Sequence, residues 1–430
     1  MLKGTSQNPC HPERSSTQGK LREGSQSGFF GLRPQNDGFV SGFKSLLSKL
    51  SDFDYRLPKA QIAQFALSDR ATARLMILHR SSASIVHCSF RQIVDYFSRG
   101  DVLVLNDTKV LPARLFARRK TGARVEMLVL GCRGGPCARP FSDERPAFYD
   151  AGAHKGRPYE STPTDNGGDT GNICRVLIKP CGRVRKDEEL ILNGEPKTTV
   201  RVLDAPDHET GIRHVEFQTE EDLQSLLYRI GRIPLPPYID REDTSVDREM
   251  YQTVFAAKPG AVASPTAGLH FDHELLRQLE AKGVEIVYVT LHVSYGTFQP
   301  VQSEDLTQHQ MYVEDYEVSR EAAETINFAK GNGRPVVACG TTVVRALESA
   351  AIDSIPSVVE GRSGKTDLFI YPPYQFKIAD HLITNFHLPK STLLMLTSAF
   401  AGHGLLMHAY REAIENKYRF YSYGDAMLIR

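Results

Sequence analysis

The sequence predicts an α/β protein: a mainly parallel-sheet α/β body with an inserted antiparallel β-barrel domain. Two observations indicate this class. From about residue 223 onward, helical and strand-like segments alternate, the pattern of βαβ units in a parallel sheet. Between residues 112 and 222, short strand-like runs follow one another with no helix-period segment between them, which favours an antiparallel sheet or barrel.

The domain organisation follows from these two patterns. We expect residues 51–111 and 223–430 to form the α/β domain and residues 112–222 to form the β-barrel domain. Residues 1–50 are rich in Ser, Gly, Gln and Asn and cannot bury enough apolar surface to offset their ordering entropy, so they are expected to be a disordered tail. Within the barrel, the Gly-, Pro-, Asp- and Ser-rich residues 132–172 are expected to be a flexible insertion.

The predicted elements follow from apolar periodicity and from cap and breaker residues. The predicted strands of the α/β body are Ala73–Leu78, Val102–Leu105, Val284–Val293, Pro335–Cys339, Thr366–Tyr371 and Ala426–Ile429. The predicted helices are Arg91–Phe97, Asp272–Lys282, Ser319–Lys330, Thr342–Ala351, Ser391–Ala401 and Leu405–Lys417. The predicted barrel strands are Arg114–Ala117, Val125–Leu130, Arg175–Ile178, Glu189–Leu192, Thr199–Val202 and His214–Phe217.

The composition limits the classes of partner. Lys and Arg number 52 and Asp and Glu 51, so the formal net charge is +1 and any nucleic-acid binding must rest on a local basic patch. No stretch approaches the roughly eighteen consecutive apolar residues of a membrane span. The seven cysteines are scattered and never spaced Cys-x-x-Cys, so we expect reduced thiols in a cytoplasmic protein, with neither a disulfide framework nor a zinc site.

Gly340, Thr341 and Thr342 lie where a predicted strand leads into a predicted helix. Free backbone N–H groups at the start of a helix attract anions, and small residues let an anion approach. Arg345 lies one helical turn further on. A helix N-cap is the alternative, since Thr caps helices and Gly eases the turn. The tripeptide alone leaves both interpretations open.

Residues 264–271, with the sequence SPTAGLHF, also lead into a predicted helix. Small residues here, among them Thr266 and Gly268, allow close approach of a ligand, and His270 is a candidate proton-transfer group. A structurally hydrogen-bonded histidine is the alternative. His273 stands three residues further on, but no third ligand has a recognisable spacing, so no metal site is predicted.

Three further polar clusters lie beside predicted strands or helices. Asp107 follows a strand, where open α/β sheets place functional side chains, although an Asp at this position can instead cap a turn. The other two clusters are ambiguous between the wall of a site and a polar loop; they contain Asn385, His387, Lys390, Tyr423 and Asp425.

Basic residues of the predicted barrel are the candidate RNA contacts, because recognition of RNA loops needs phosphate contacts and stacking on unpaired bases. The candidates are Arg114, Arg118, Arg119, Lys120, Arg124, Lys179, Arg183, Arg185 and Lys186. Most charge runs are solvated faces, and composition alone does not favour RNA.

An ordered set of motifs is more specific than any one of them. Its members are Asp52–Pro58, Asn106–Leu115, Gly231–Ile239, Tyr251–Val254, Pro265–Phe271, Leu291–Val293, Gly296–Phe298, Gly340–Thr342, Thr384–Thr392 and Tyr423–Ile429. Together they span about residues 51–430, and in this order they resemble the S-adenosylmethionine:tRNA ribosyltransferase-isomerases of queuosine biosynthesis. One motif departs: where the family usually reads His-Val-Gly, this chain has Ser294, so a conformation or ligand approach open to Gly is expected to change.

The resemblance implies a catalytic α/β domain that carries an inserted β-barrel. It also implies the reaction: the ribosyl moiety of S-adenosylmethionine is transferred to 7-aminomethyl-7-deazaguanine at the tRNA wobble position and isomerised, giving epoxyqueuosine-tRNA, adenine and methionine. The implied partners are tRNA and S-adenosylmethionine, which is a substrate, with no further cofactor. The expected protein is a cytoplasmic monomer with no membrane association.

The implied chemistry gives these residues hypothetical roles. A sulfonium acidifies the neighbouring 5′ carbon, so a base is needed to remove a proton and an acid to assist the departure of adenine. His270, His292 and His387 are candidates for proton exchange, and Asp107 or Asp425 for balancing the sulfonium. Gly340–Thr342 is the candidate site for the methionine carboxylate. The full set of expected substrate-binding residues is Thr266, Gly268, Gly340, Thr341, Thr342, Arg345, Asn385, Lys390, Tyr423 and Asp425, with tRNA held by Arg114, Arg118, Arg119, Lys120, Arg183, Arg185 and Lys186.

Three helix entrances are expected to converge on one pocket at one edge of the sheet: Pro265–Phe271, Gly340–Thr342 and the stretch that ends at Ser391. Two rival functions remain. A transferase of a phosphoribosyl donor would bind at Gly340–Thr342, but the acidic, hydroxyl-rich pyrophosphate loop that it needs is absent. The second rival is a non-catalytic relative that binds tRNA and in which Ser294 is the inactivating substitution.

Overall fold

A large mixed sheet and a small closed barrel organise this chain. The computed structural model describes residues 47–132, 172–195, 197–207, 210–298, 301–354 and 357–430. The expected disordered tail, residues 1–50, and the expected insertion, residues 132–172, fall almost entirely outside these ranges. Both therefore stay predictions.

The strands and helices are numbered in chain order. The strands are β1 (Arg74–His79), β2 (Ser84–Ser89), β3 (Val102–Asn106), β4 (Thr108–Val110), β5 (Arg114–Arg119), β6 (Arg124–Cys132), β7 (Ile173–Lys179), β8 (Glu189–Leu192), β9 (Thr199–Val202), β10 (Ile212–Gln218), β11 (Lys258–Ala261), β12 (Glu285–Leu291), β13 (Glu314–Val318), β14 (Val336–Cys339), β15 (Ala351–Ile352), β16 (Val358–Val359), β17 (Arg362–Thr366), β18 (His381–Asn385) and β19 (Ala426–Ile429). The helices are α1 (Leu223–Ile230), α2 (Asp247–Met250), α3 (His273–Lys282), α4 (Arg320–Gly331), α5 (Thr341–Ala350), α6 (Thr392–Ala401) and α7 (His403–Glu415).

The main sheet has nine strands in the order β17-β13-β12-β3-β14-β18-β19-β1-β2. Its central strands β12, β3, β14 and β18 are parallel, and every residue of β3 is buried, as expected of a strand covered on both faces. The prediction of a mainly parallel sheet is wrong, because β13 and β17 on one side and β19 and β2 on the other join by antiparallel pairing. Antiparallel neighbours need no helical crossover between them. The alternation of helices and strands in the sequence therefore gives no sign of these antiparallel strands.

The shared direction of the central strands determines where the polar motifs lie. Asp107 follows β3, Gly340 follows β14 and His387 follows β18. Because the carboxyl ends of parallel strands meet at one edge of a sheet, these motifs lie near one another. β19 runs antiparallel to β18, with Ala426 opposite Asn385, so the chain before β19 reaches the same edge.

All six predicted barrel strands are present, and they close into a barrel in the order β10-β7-β6-β5-β8-β9. Every neighbouring pair is antiparallel. Buried and partly exposed residues alternate along β7 and β10, the period of two that a barrel strand requires. The predicted antiparallel barrel is confirmed.

Two elements of the α/β body differ from prediction. The segment predicted as the helix Arg91–Phe97 is a 3₁₀ helix, Phe90–Tyr96. The predicted strand Thr366–Tyr371 is wrong, because the strand at this place is Arg362–Thr366. Most of its residues are exposed and it is held by pairing with β13, so it lacks the apolar run that would reveal it in sequence.

The prediction that all cysteines are reduced is wrong for one pair. Cys132 and Cys174 form a disulfide between β6 and β7, where they stand opposite each other. They are separated by 42 positions in sequence and become neighbours only when the barrel forms, so their spacing gave no indication of pairing.

Helices α6 and α7 follow the last central strand. Leu394, Met395 and Phe400 of α6 are buried in the main core. Among the described residues no single helix is long and apolar enough to cross a membrane, although α6 and α7, which meet at a bend of 114°, reach that length and composition together.

Candidate active site

A pocket opens at the edge of the main sheet where the central strands end. Three sequence motifs contribute most of its wall, through Ala263–Ala267, Gly340–Thr342 and Thr384–Leu388. Ser391, the N-cap of α6, also lines it. The empty space is about 750 Å³ including the open mouth, within the usual range for a small-molecule site. The three helix entrances therefore share one pocket, as expected.

Helix α5 begins at this pocket with a glycine. Gly340 has φ of +100°, which L side chains rarely adopt, and as N-cap it offers no side-chain hydrogen bond. The first backbone bonds of the helix run from the N–H groups of Val343 and Val344 to the Gly340 carbonyl. The N–H groups of Thr341 and Thr342 thus precede the helix's own bonds. Gly340 itself is the N-cap and no threonine side chain caps α5, so the capping interpretation holds for the glycine and not for the threonines.

Asn385 connects two pocket segments with the chain before β19. Its Oδ1 accepts a hydrogen bond from Thr266 Oγ1 at 2.8 Å, and its Nδ2 donates to the Tyr421 carbonyl at 3.3 Å. Because a carbonyl oxygen only accepts, Tyr421 fixes the orientation of this amide. Nδ2 also lies 3.1 Å from His270 Nε2, which must then be the acceptor. The ring proton of His270 is therefore on Nδ1.

Two of the three candidate histidines are deeply buried at this site. His270 and His387 are 4% and 7% exposed. Burial lowers the pKa of each ring to about 3, and at His270 the nearby cations Arg419 and Arg70 contribute to this lowering. Thr384 Oγ1 lies 2.7 Å from His387 Nε2. Both rings are therefore neutral at pH 7.

His292 and Asp107, like His270, are not among the described residues that line the pocket. His292 Nδ1 lies 2.7 Å from Thr108 Oγ1. Asp107 is buried and accepts a hydrogen bond from Thr290 Oγ1 at 2.7 Å, and burial raises its pKa. Their assignment to catalysis stays a prediction.

Arg345 and Lys390, two predicted substrate-binding cations, have partners within the protein. Arg345 is buried, forms an ion pair with the buried Glu314, and donates from Nε to the Leu368 carbonyl at 3.0 Å. Lys390 Nζ lies 2.8 Å from a carboxylate oxygen of Asp54. Neither side chain lines the pocket, so both stabilise the surrounding structure in this conformation.

Tyr423 and Asp425 are engaged in the same way. The Tyr423 hydroxyl donates to Asp247 at 2.7 Å. Asp425 accepts from the backbone N–H of Arg74 at 2.9 Å, from the Arg74 guanidinium at 3.0 Å and from the backbone N–H of Arg419 at 2.7 Å. These contacts connect β1 with the chain before β19, and neither residue lines the pocket.

Two small residues in the motifs serve packing and backbone geometry. A Cβ added to Gly268 would lie 2.9 Å from side-chain atoms of Phe255 and Thr253, so this position has no room for one. Ser294 is not among the described non-glycine residues with positive φ, and its N–H donates to Glu314 at 2.7 Å. The backbone here does not require the family's usual glycine.

The pocket is also lined by aromatic and hydroxyl groups that were not among the predicted site residues. Tyr238, Tyr251 and Tyr421 contribute to its wall, and the ring centroids of Tyr238 and Tyr421 are 4.7 Å apart. Ser264 Oγ is buried and has no hydrogen-bond partner among the described residues. Tyr238 and Tyr251 stand within motifs that carried the family resemblance, so a signal for them was present in the sequence.

The pocket wall holds hydroxyl groups, the Asn385 amide and the His387 imidazole, but none of the described residues that line it is an Asp or Glu. Within the described ranges, no group of three or more His, Cys, Asp or Glu side chains is placed to hold a metal ion. The expectation that the protein uses no metal stays a prediction.

The predicted RNA contacts on the barrel fall into two groups. Arg114, Arg119 and Lys120 each form an ion pair with a glutamate, at 3.4, 2.6 and 2.9 Å. The second group is exposed, and none of its members forms a salt bridge with another described residue; it comprises Arg118, Arg183, Arg185 and Lys186. The second group is therefore the one with charge available for phosphate.

Known proteins resemble this chain over nearly all of its described length. The model of a family described as "Queuosine biosynthesis protein" matches residues 50–429. An S-adenosylmethionine:tRNA ribosyltransferase-isomerase from a Sulfurihydrogenibium species is 46% identical over 386 residues, which are 89% of this chain and 99% of that protein. The protein of the same name from Thermotoga maritima is 44% identical over 381 residues, with the same coverage. A crystal structure of an S-adenosylmethionine tRNA ribosyltransferase from Thermotoga maritima is 35% identical, covers 88% of this chain and 100% of its own, and has a TM-score of 0.45. The chain belongs to the family of queuosine biosynthesis proteins.

Proposed function

We propose that this protein transfers the ribosyl moiety of S-adenosylmethionine to 7-aminomethyl-7-deazaguanine at the tRNA wobble position and isomerises it. The products are epoxyqueuosine-tRNA, adenine and methionine. The observation that carries the proposal is the convergence of three separated motifs on one pocket, in a chain 46% identical to a protein named for this activity. S-Adenosylmethionine is a substrate here, and we propose no further cofactor.

The start of α5 is the proposed binding site for the methionine carboxylate. The N–H groups of Thr341 and Thr342 precede the helix's own hydrogen bonds, and such groups bind anions. Ser264 supports this assignment, because its buried hydroxyl at the same pocket has no hydrogen-bond partner among the residues that the structure describes. Asn106 Nδ2 donates to Thr342 Oγ1 at 3.2 Å, which holds that side chain in place.

His387 is the proposed proton acceptor, because it is the candidate histidine that lines the pocket. Its ring is neutral at pH 7, because burial lowers its pKa to about 3, so one ring nitrogen carries a lone pair that can accept a proton. His270 accepts from Asn385 and is proposed to position that amide. The role of Thr384 is to orient His387 through the 2.7 Å contact.

The barrel is the proposed contact for tRNA. Four exposed residues that form no ion pair within the described part of the chain offer charge for phosphate contacts: Arg118, Arg183, Arg185 and Lys186. We further propose that the protein works as a monomer in the cytoplasm.

One assay tests the proposed activity. The protein is incubated with S-adenosylmethionine and a tRNA that carries the precursor base, and free adenine is measured. The proposal predicts adenine release that depends on both substrates. Retention of tRNA without adenine release would instead establish a binding protein, and adenine released without ribosyl transfer to tRNA would contradict the transferase step.

A further inference from the structure

The described residues of the pocket wall include no carboxylate to balance the charge of the proposed substrate. S-Adenosylmethionine carries a positively charged sulfonium, and burying a charge is costly unless another group compensates it. None of the described pocket-lining residues is an Asp or Glu, and Asp107 and Asp425 have their own partners outside the lining. Some other feature of the wall must therefore compensate the sulfonium.

Aromatic rings are a feature of this wall that attracts a cation. Tyr238 and Tyr421 both line the pocket, with ring centroids 4.7 Å apart and ring planes at 52°. The face of an aromatic ring carries partial negative charge, and such faces bind onium groups in other proteins. Because the centroids are so close, nothing fits between the rings, and a ligand would contact their pocket side.

The backbone of Tyr421 shows that its ring is held at this place against a local preference. Its φ is +72°, a conformation that is unfavourable for a bulky residue and that clusters at functional sites. Two hydrogen bonds maintain it, from the Tyr421 N–H to the Phe386 carbonyl at 3.1 Å and from Asn385 Nδ2 to the Tyr421 carbonyl at 3.3 Å. Tyr238 is anchored as well, with its hydroxyl 2.6 Å from Ser422 Oγ.

We propose that Tyr238 and Tyr421 bind the sulfonium of S-adenosylmethionine by cation–π contact, in place of a carboxylate. The inference rests on the proposed function and names the group that recognises the charged centre of its substrate. It differs from adenine stacking, which would also use aromatic rings but is indifferent to the charge on sulfur.

The test compares binding of S-adenosylmethionine with that of S-adenosylhomocysteine, its uncharged thioether counterpart, by isothermal titration calorimetry. Tyr421→Leu and Tyr238→Leu remove one ring each. Each is expected to lower the preference for the charged ligand by about two- to thirtyfold, the range for a cation–π contact. Tyr421→Phe keeps a ring and is expected to keep the preference. Phe328→Leu removes a ring that is 75% exposed on α4 and serves as the matched control.

Three results would overturn the inference. Equal weakening of both ligands in Tyr421→Leu would assign the rings to adenine. An unchanged preference in both leucine variants would remove the rings from recognition, and weakened tRNA binding with unchanged ligand binding would assign them to the tRNA base. Thermal unfolding of each variant checks its fold, and Tyr238→Leu decides the question if Tyr421→Leu is unfolded. Failure of the wild-type protein to bind S-adenosylmethionine would contradict the proposed function itself, and the inference with it.

Discussion

His270 Nε2 accepts a hydrogen bond from Asn385 Nδ2 at 3.1 Å, and the contact joins two motifs that are 115 residues apart in sequence. The amide cannot turn over to suit a protonated ring, because its Nδ2 also donates to the Tyr421 carbonyl and its Oδ1 accepts from Thr266. If His270 were protonated at Nε2, its N–H and the N–H of Asn385 Nδ2 would face each other, and neither group could accept a hydrogen bond. The site is therefore built around a neutral histidine.

The neutrality of His270 and His387 predicts a loss of stability in mild acid. The pKa of each ring is about 3 when folded and about 6.5 when unfolded, so below pH 6.5 the unfolded chain binds more protons. Their contribution is complete above pH 6.5 and is lost as pH falls toward 3, with a cost on the order of 2 kcal/mol for each ring at pH 5. Urea unfolding at pH 7 and pH 5 measures it.

We expect His270→Gln to reduce this acid sensitivity and His408→Gln, at an exposed position of α7, to leave it unchanged. The same loss of stability between pH 7 and pH 5 in His270→Gln and wild type would show that the buried imidazole is not its source.

The candidate histidines are expected to differ in their effect on turnover. His387 lines the pocket, whereas His292 contacts Thr108 outside the lining. We expect His387→Gln to slow adenine release by about a hundredfold or more, the usual effect of losing a general acid or base, and His292→Gln by less than about tenfold. Single-turnover adenine release with saturating tRNA measures both. The assignment fails if His387→Gln keeps near-wild-type turnover.

Arg345 is expected to act on stability and not on substrate affinity. Its guanidinium pairs with the buried Glu314, so Arg345→Met leaves a carboxylate uncompensated in the interior, at a cost of about 3–5 kcal/mol. The double variant Arg345→Met with Glu314→Leu is expected to recover part of this loss. Denaturant unfolding and S-adenosylmethionine binding are both measured. Weaker ligand binding at unchanged stability would instead place Arg345 in the substrate site.

The barrel variants separate tRNA contact from chemistry. Combined replacement of Arg183, Arg185 and Lys186 by Ala is expected to weaken tRNA binding and to lower the salt slope by about 2 to 3, since each phosphate contact contributes roughly 0.7 to 0.9. Binding of S-adenosylmethionine should not change. Arg277→Ala, which removes an exposed cation from α3, is the control. An unchanged salt slope in the triple variant would move the tRNA contact off this face.

The barrel and the pocket were largely predictable because their signals are local. Alternating burial reveals barrel strands such as β7 and β10, and the junctions at Gly340 and Ser391 show where strands or loops lead into helices. Parallel pairing of β3, β14 and β18 then places those junctions at one edge. No partner across the sheet had to be known for these predictions.

Partners at long range were not predictable from the sequence. Asp425 and Arg345 look like ligand-binding charges until Arg74 and Glu314 are placed beside them, and those partners stand 351 and 31 residues away. The edge strand β17 was not predicted for the same reason, since it is a strand only because it pairs with β13. Tyr421 was missed because its significance lies in a backbone angle and a neighbouring ring, which a sequence does not display.

The central claim is that the segments at Ser264, Gly340 and Asn385 form one site for S-adenosylmethionine. A crystal structure of the protein with S-adenosylmethionine bound tests it most directly. We expect the ligand in this pocket, with its carboxylate at the N–H groups of Thr341 and Thr342 and its sulfonium against Tyr238 and Tyr421. S-Adenosylmethionine bound elsewhere, with this pocket left empty, would contradict it.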